Sequence, residues 1–481
     1  MKKQILFLLS VVTLFSISSC DEYLDVKPVS SITSSSFWNE PEDCEAYLVG
    51  IYNSIRSDLN TTLYGEDRGD SFEPGQIGPV SEAWAQSLSA ANAPSWSSFY
   101  NTIYHLNRLL YQIDDITFVN QNDRNRILAE AHTLRALIYF QIAKIWGDVP
   151  LVTEPTQNAN VELVGRSAVN DVFVFINQEL DEALSLFPEE GYVDKNRMSK
   201  PAAYALQADV KMWTAKVLGG GQQDFEAALA SIAKVEASGV SLLNDFRSIF
   251  LTDNKKNNEI IFSIFFEYQE HHEFYSKRLS SWGINVTSAV NYDDLPVTER
   301  NNARHVYGPS PEVKVAFDEF STDSRKGVSM IDAVLSNGEV LLTSQNKFRG
   351  TVYDDRYYDD DLIVYRLADI ILLKAEALAA LNRLPEATTE LNRIKQRAGI
   401  PAYAGPEEKL AVEKEILKER WKELYIELKR YPDLVRFHHG GTIDIYAQVP
   451  NLNGKDGYPL YFPIEQSVMD NNELIEQTDG Y

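Results

Sequence analysis

The 481-residue chain carries 70 acidic against 45 basic side chains, a formal net charge of −25, and is 44% hydrophobic and 11% aromatic. So strong a negative balance argues against a nucleic-acid surface and against adsorption to an anionic membrane face. The apolar content excludes a disordered chain, and the length allows two or three domains or one large helical solenoid.

Met1, Lys2 and Lys3 precede an apolar run from Ile5 to Ile17 and the small-residue site Ser18-Ser19-Cys20. That order is an export signal over residues 1–19, too short to span a bilayer comfortably. Ile17-Ser18-Ser19-Cys20 is a variant of the bacterial lipobox, which makes Cys20 the expected lipidation site. A thioether-linked diacylglycerol plus an amine-linked acyl chain anchors stably where one chain would not. The alternative is ordinary cleavage and a soluble periplasmic protein. Residues 20–36, rich in Ser and Thr, read as a tether. Cys44, the other of two cysteines, is expected to be a small buried residue with no disulfide. No later window offers about 20 apolar residues in a row, so no transmembrane helix is expected.

From Phe37 onward helical periodicity dominates. A first helix is expected over about 46–57, a second over about 96–110 and a third over about 123–146. Others are expected at about 168–186, 200–217 and 223–237, with Gly219-Gly220-Gly221 as a helix stop and turn. A strand-like run spans 260–265. Helical spacing returns at 311–320, 363–381, 385–398 and 408–430. Two stretches, 60–95 and 268–310, have no period and are rich in turn residues or isolated aromatics; loops this long in a compact protein are usually functional. Helix pairs on short turns, as at Ala375 to Ala387, suggest about four degenerate tetratricopeptide-like hairpins, which bury their apolar faces only by stacking. The expected fold is mainly α, with long irregular loops and minor β.

Nothing in the chain points to catalysis. The seven histidines give no His-Glu-x-x-His, and there is no Gly-x-Ser-x-Gly and no glycine-rich phosphate loop. No cofactor is expected. The acidic run Asp354, Asp355, Asp359, Asp360, Asp361 lacks the sharp glycine turn of a calcium loop and reads as solvated, so no metal is expected. The ion pairs implied by Glu130–Arg135 and by Glu419, Arg420, Glu423 and Arg436 read as structural ties between helices.

Several segments, taken together and in order, resemble the SusD/RagB family of outer-membrane nutrient-binding lipoproteins. They are Cys20-Asp21-Glu22-Tyr23-Leu24-Asp25 with Phe37-Trp38, Trp96-x-x-Phe99-Tyr100-x-x-Ile103 with Asn107, and Ala129 to Ala136 running on through Trp146-Gly147-Asp148-Val149-Pro150-Leu151. Toward the end come Tyr365-Arg366-Leu367-Ala368-Asp369, Leu391-Asn392-x-Ile394, Glu419-Arg420-x-x-Glu423-Leu424, Tyr431-Pro432-Asp433-Leu434-Val435-Arg436, and Pro463-Ile464. The resemblance implies a single domain over 37–481, with an N-terminal part of about 37–240 and a C-terminal part of about 241–481. It further implies a lipid-anchored, surface-exposed protein of the outer membrane. Such a protein captures oligosaccharides, or peptides in some members, for a SusC-like TonB-dependent transporter. A tetratricopeptide-type adaptor for protein partners is the rival reading, and a secreted hydrolase a weak third.

In the resembled family, ligand sites are built from the two irregular loop regions. Sugars need flat apolar faces for their C–H side and polar groups for their hydroxyls. Trp84, Trp282 and Tyr292 are therefore the expected platforms, with Arg68, Asp70 and Asn285 as hydroxyl partners. Trp96, Trp146, Trp213 and Trp421 lie on helical stripes and are expected in the core.

Overall fold

A computed structural model describes residues 37–156, 162–270, 273–300 and 303–481. The expected signal, Cys20 and the tether lie outside these. Six helices come first: α1 (Pro41–Leu59), α2 (Ser97–Gln112), α3 (Gln121–Trp146), α4 (Val169–Leu186), α5 (Lys200–Val217) and α6 (Gly221–Glu236). Helix α1 begins earlier than its apolar spacing indicates. Its first turn is polar, and it is held by the Asp43 carboxylate, which accepts the N–H groups of Asn39 and Glu40 at 2.9 Å each. Its buried stripe is Cys44, Leu48, Ile51, Tyr52, Ile55 and Leu59. Cys44 is a free, buried thiol, pushed up to about 11 first by burial and then by the neighbouring Asp43. Helix α3 is the central element, buried almost throughout from Ile127 to Trp146, and stops at Gly147, whose φ of 73° is open to glycine. Helix α5 stops through Gly219 at φ 78°, as the glycine triplet indicates.

Strand β1 (Phe72–Pro74) lies between α1 and α2; after α6 come strands β2 (Ile260–Ile264) and β3 (Tyr307–Pro309), then helix α7 (Pro311–Asp318). A hairpin of β4 (Met330–Val334) and β5 (Val340–Gln345) follows, then a smaller one of β6 (Thr351–Val352) and β7 (Arg356–Tyr357). The chain ends with β8 (Leu362–Arg366), α8 (Leu367–Ala380), α9 (Leu384–Arg397), α10 (Lys409–Glu423) and α11 (Arg430–His439), followed by short helical turns. The pairs α1/α2, α3/α4, α5/α6 and α8/α9 each pack internally, and α8 also meets α5, α6 and α10. The fold is mainly α, with four helix pairs and minor β, as expected. Among the described residues no helix is long and apolar enough to cross a membrane.

Two helical expectations are corrected. Residues 362–366 are a strand, antiparallel to β2, because Ile363, Val364 and Tyr365 are buried on both faces. A short unbroken apolar run fits strand or helix equally well. The expected helix over 408–430 ends at Glu423, and after a corner a separate helix, α11, begins at Arg430. Ile426 and Leu428 take φ of 56° and 61° at the corner, and Gly65 lies against the Leu428 backbone, where a Cβ would fall 2.4 Å from the Leu428 carbonyl oxygen. The corner thus admits the first irregular loop, and the Gly65 carbonyl accepts the Tyr431 N–H at 2.8 Å.

The ion pairs also find other partners. Glu130 and Arg135 are five residues apart on α3 and face different ways. Glu130 accepts from Tyr52, Arg126 and Arg197, while Arg135 forks onto Glu179 at 2.6 and 2.7 Å. Arg420 meets Asp433 and Asp369, and Arg436 meets Glu376 and Asp433. Glu423 is ringed by Arg397, Arg366 and Arg325. Burial pushes its carboxyl up, but the three guanidiniums outweigh burial and hold it well below the usual range.

Most buried apolar residues form one continuous core. A separate, small core lies in the second irregular region: Val286, Ala289 and Leu295 close on Ala333 and Leu342 of the β4–β5 hairpin.

A candidate ligand surface on the irregular loops

The two irregular stretches meet where β1 pairs antiparallel with β3. There Phe72 stacks flat on Tyr307, centroids 5.0 Å apart and planes 8° apart. Trp84 lies beside them, 6.5 Å from the Tyr307 ring, and its indole N–H donates to the Phe72 carbonyl at 3.1 Å. Trp84 is half-buried against the main core, so it also closes this corner.

Trp282 and Tyr292 are held together by Glu299. The Gly283 N–H donates to the Thr298 carbonyl at 2.8 Å, and the Trp282 indole N–H donates to the Glu299 carbonyl at 3.1 Å. The Tyr292 hydroxyl donates to the Glu299 carboxylate. Gly283 lies close under this pair, where a Cβ would fall 2.4 Å from the Tyr292 hydroxyl. Burial, then the Glu299 carboxylate, pushes the Tyr292 phenol up to about 12, so it stays a neutral donor at pH 7. Asn285 follows within the same turn, its N–H on the Trp282 carbonyl at 3.0 Å. Its side-chain Nδ2 is buried without a hydrogen-bond acceptor among the described residues. Trp282, Tyr292 and Asn285 therefore come together, with Trp84 in the other loop.

Arg68 and Asp70 do not join them, and their assignment as hydroxyl partners is corrected. Both are buried. Arg68 donates to the carbonyls of Pro459, Leu460 and Tyr461 and to Gln86, and lies over the rings of Tyr431, Tyr458 and Phe462. Asp70 accepts both arms of Arg430 at 2.6 and 2.7 Å. The loop is polar in sequence, but a segment nearly 400 residues further on covers it. Trp96, by contrast, is 5% exposed and packs edge-on to Trp146, a core residue as expected.

The acidic run is corrected as well: of its five members only Asp354 is exposed. The Asp355 carboxylate accepts the N–H groups of Glu299, Arg300 and Arg356, each at 2.8 Å, which locks the Trp282 loop onto the β6–β7 turn. Asp361 accepts from Asn196 and the Phe266 N–H and pairs with Lys255. Among the described residues no cluster of His, Cys, Asp and Glu is arranged to hold a metal. Sequence reasoning missed Tyr268, Tyr353 and Tyr357, which gather beside this turn. The signal was present as Tyr353-Asp354-Asp355-Arg356-Tyr357, aromatics framing a turn.

A family model described as starch-binding associating with outer membrane matches residues 22–212, and the SusD family model matches residues 333–481. The chain is 26% identical to SusD-like protein P25 of Formosa agariphila, over 98% of this chain and 97% of that protein. It is 24% identical to the starch-binding protein SusD of Bacteroides thetaiotaomicron, over 97% and 96%. Its fold superposes on a SusD superfamily protein from Bacteroides fragilis with a TM-score of 0.82 at 25% identity, covering 92% of this chain and all of that one. With both ends matched in order and the fold shared over 92% of the chain, the chain belongs to the SusD/RagB family of starch- and glycan-binding, outer-membrane-associated proteins.

Proposed function

We propose that this protein is a non-catalytic receptor, lipid-anchored through Cys20 and exposed on the cell surface. It captures oligosaccharides on its irregular loops and hands them to a SusC-like TonB-dependent transporter. The observation that carries the reading is the Trp282–Tyr292 pair fixed on Glu299, outside the main core. An aromatic face takes the C–H side of a pyranose, and a carboxylate such as that of Glu299 at its edge takes the hydroxyls. A protein serving only as a tetratricopeptide-type adaptor has no use for such a platform. Nothing in the platform supplies an activated nucleophile, which favours binding over turnover.

The test is a screen of residues 21–481 against a polysaccharide panel, followed by calorimetry with the best glycan. Trp282→Ala should weaken binding about thirtyfold, the loss of roughly 2 kcal/mol expected for a dominant platform, with melting temperature unchanged. Trp96→Ala is the control and should cost about 3–5 kcal/mol of stability. A Trp282→Ala protein that melts normally and binds like wild type moves the site elsewhere.

A further inference from the structure

Beside the Trp282 loop, Tyr268, Tyr353 and Tyr357 form a second aromatic surface. Tyr353 is 50% exposed and rests on Tyr268, centroids 4.1 Å apart and planes 21° apart. Tyr357 stands edge-on to both, at 4.5 Å and 70° from Tyr268 and 6.1 Å and 62° from Tyr353. Its hydroxyl donates to Asp354 at 3.1 Å. The tyrosines are thus held before any ligand arrives, which lowers the entropy cost of binding. Asp355 fixes this turn to Glu299 and Arg300 through backbone N–H groups, so both aromatic surfaces belong to one connected unit.

We propose that the Tyr268–Tyr353–Tyr357 cluster is a second subsite for an uncharged glycan chain that also engages Trp282; this deepens the glycan-binding reading and rests on it. The lack of charge follows from the rim. Asp293, Asp294, Glu299 and Asp354 are all exposed carboxylates, acceptors for hydroxyl donors and repellent to uronate or sulfate groups. Arg300 reaches the same rim but is tied to Asp354 at 3.3 Å. Arg356 is turned onto the carbonyls of Val297 and Arg349, and Arg349 onto Asn346 and the Asp294 carbonyl. Arg300 cancels Asp354, and Arg356 and Arg349 keep their charge but turn these donors to neutral oxygens, so Asp293, Asp294 and Glu299 are the rim carboxylates left without an ion pair among the described residues.

The experiment uses affinity electrophoresis in gels cast with neutral polysaccharides, their C6-oxidised polyuronate forms, native polyuronates and their carboxyl-reduced forms. Wild type should be retarded by a neutral polymer and at least tenfold less by its oxidised form. Tyr353→Ala should weaken binding of the retarding polymer about tenfold with an unchanged melting temperature, while Tyr353→Phe, which keeps the ring face, should bind like wild type. Preference for a polyuronate over its carboxyl-reduced form, or wild-type binding by Tyr353→Ala, overturns the inference while the glycan reading stands. Retardation by no polysaccharide at all brings down the glycan reading and this inference with it.

Discussion

Arg68→Met removes a guanidinium from the interior while keeping most of its aliphatic stem. Four acceptors lose a donor, but not equally. The Leu460 carbonyl keeps the Tyr431 hydroxyl at 2.6 Å, and the Tyr461 carbonyl keeps the Tyr481 hydroxyl at 3.1 Å. The Pro459 carbonyl and the Gln86 side-chain oxygen have no other donor among the described residues. A buried acceptor left bare costs about 1–3 kcal/mol; Gln86 is buried and Pro459 half-buried, and the lost stacking on three rings adds to it, so the expected destabilisation is about 4 kcal/mol. Arg68→Lys can serve one of the two orphaned acceptors and should lose about half as much. Urea denaturation followed by circular dichroism reads both. A Met variant with the wild-type midpoint but lost glycan affinity would refute this reasoning and return Arg68 to the ligand.

Asp360 supplies a pH test. Burial, with the neighbouring Asp359 adding to it, raises its carboxyl from 3.8 to about 7 despite the Gly350 N–H it accepts. A raised acid contributes stability that is complete below the unfolded value and is lost as pH climbs through the folded one. The melting temperature of Asp360→Asn relative to wild type should therefore rise between about pH 4 and 7 and then level off; a flat difference refutes it. For the anchor, Cys20→Ala should move the protein from the membrane to the soluble fraction with its circular dichroism intact, and continued membrane partitioning with acyl-chain labelling would show that the lipobox reading is wrong.

The helices were legible because each buries a stripe at three- and four-residue spacing, and periodicity is a local property. What was missed depends on contacts far along the chain. Strand β8 is a strand because β2 lies beside it, about 100 residues earlier. Arg68 and Asp70 looked like surface groups because their own neighbourhood is polar; the residues that bury them are at 430 and 459–462. The acidic run misled in the same way: counting its charges hid that three of its carboxylates answer nearby N–H groups, while the tyrosines framing the turn went unread. Trp282, Tyr292 and Asn285 came together as grouped because the turn that joins them is short and local.

The small core shared by residues 286–295 and the β4–β5 hairpin has an evolutionary consequence. Five buried side chains stabilise that unit apart from the helical body, so substitutions among them are absorbed locally. If the proposed site holds, a lineage meeting a new nutrient can rewrite the Trp282 turn and its hairpin together while the helix pairs stay under unchanged constraint. On that reading, diversification of specificity is uncoupled from preservation of the scaffold, and exchange of these two segments as one cassette is the route to test for transplanting a preference between relatives.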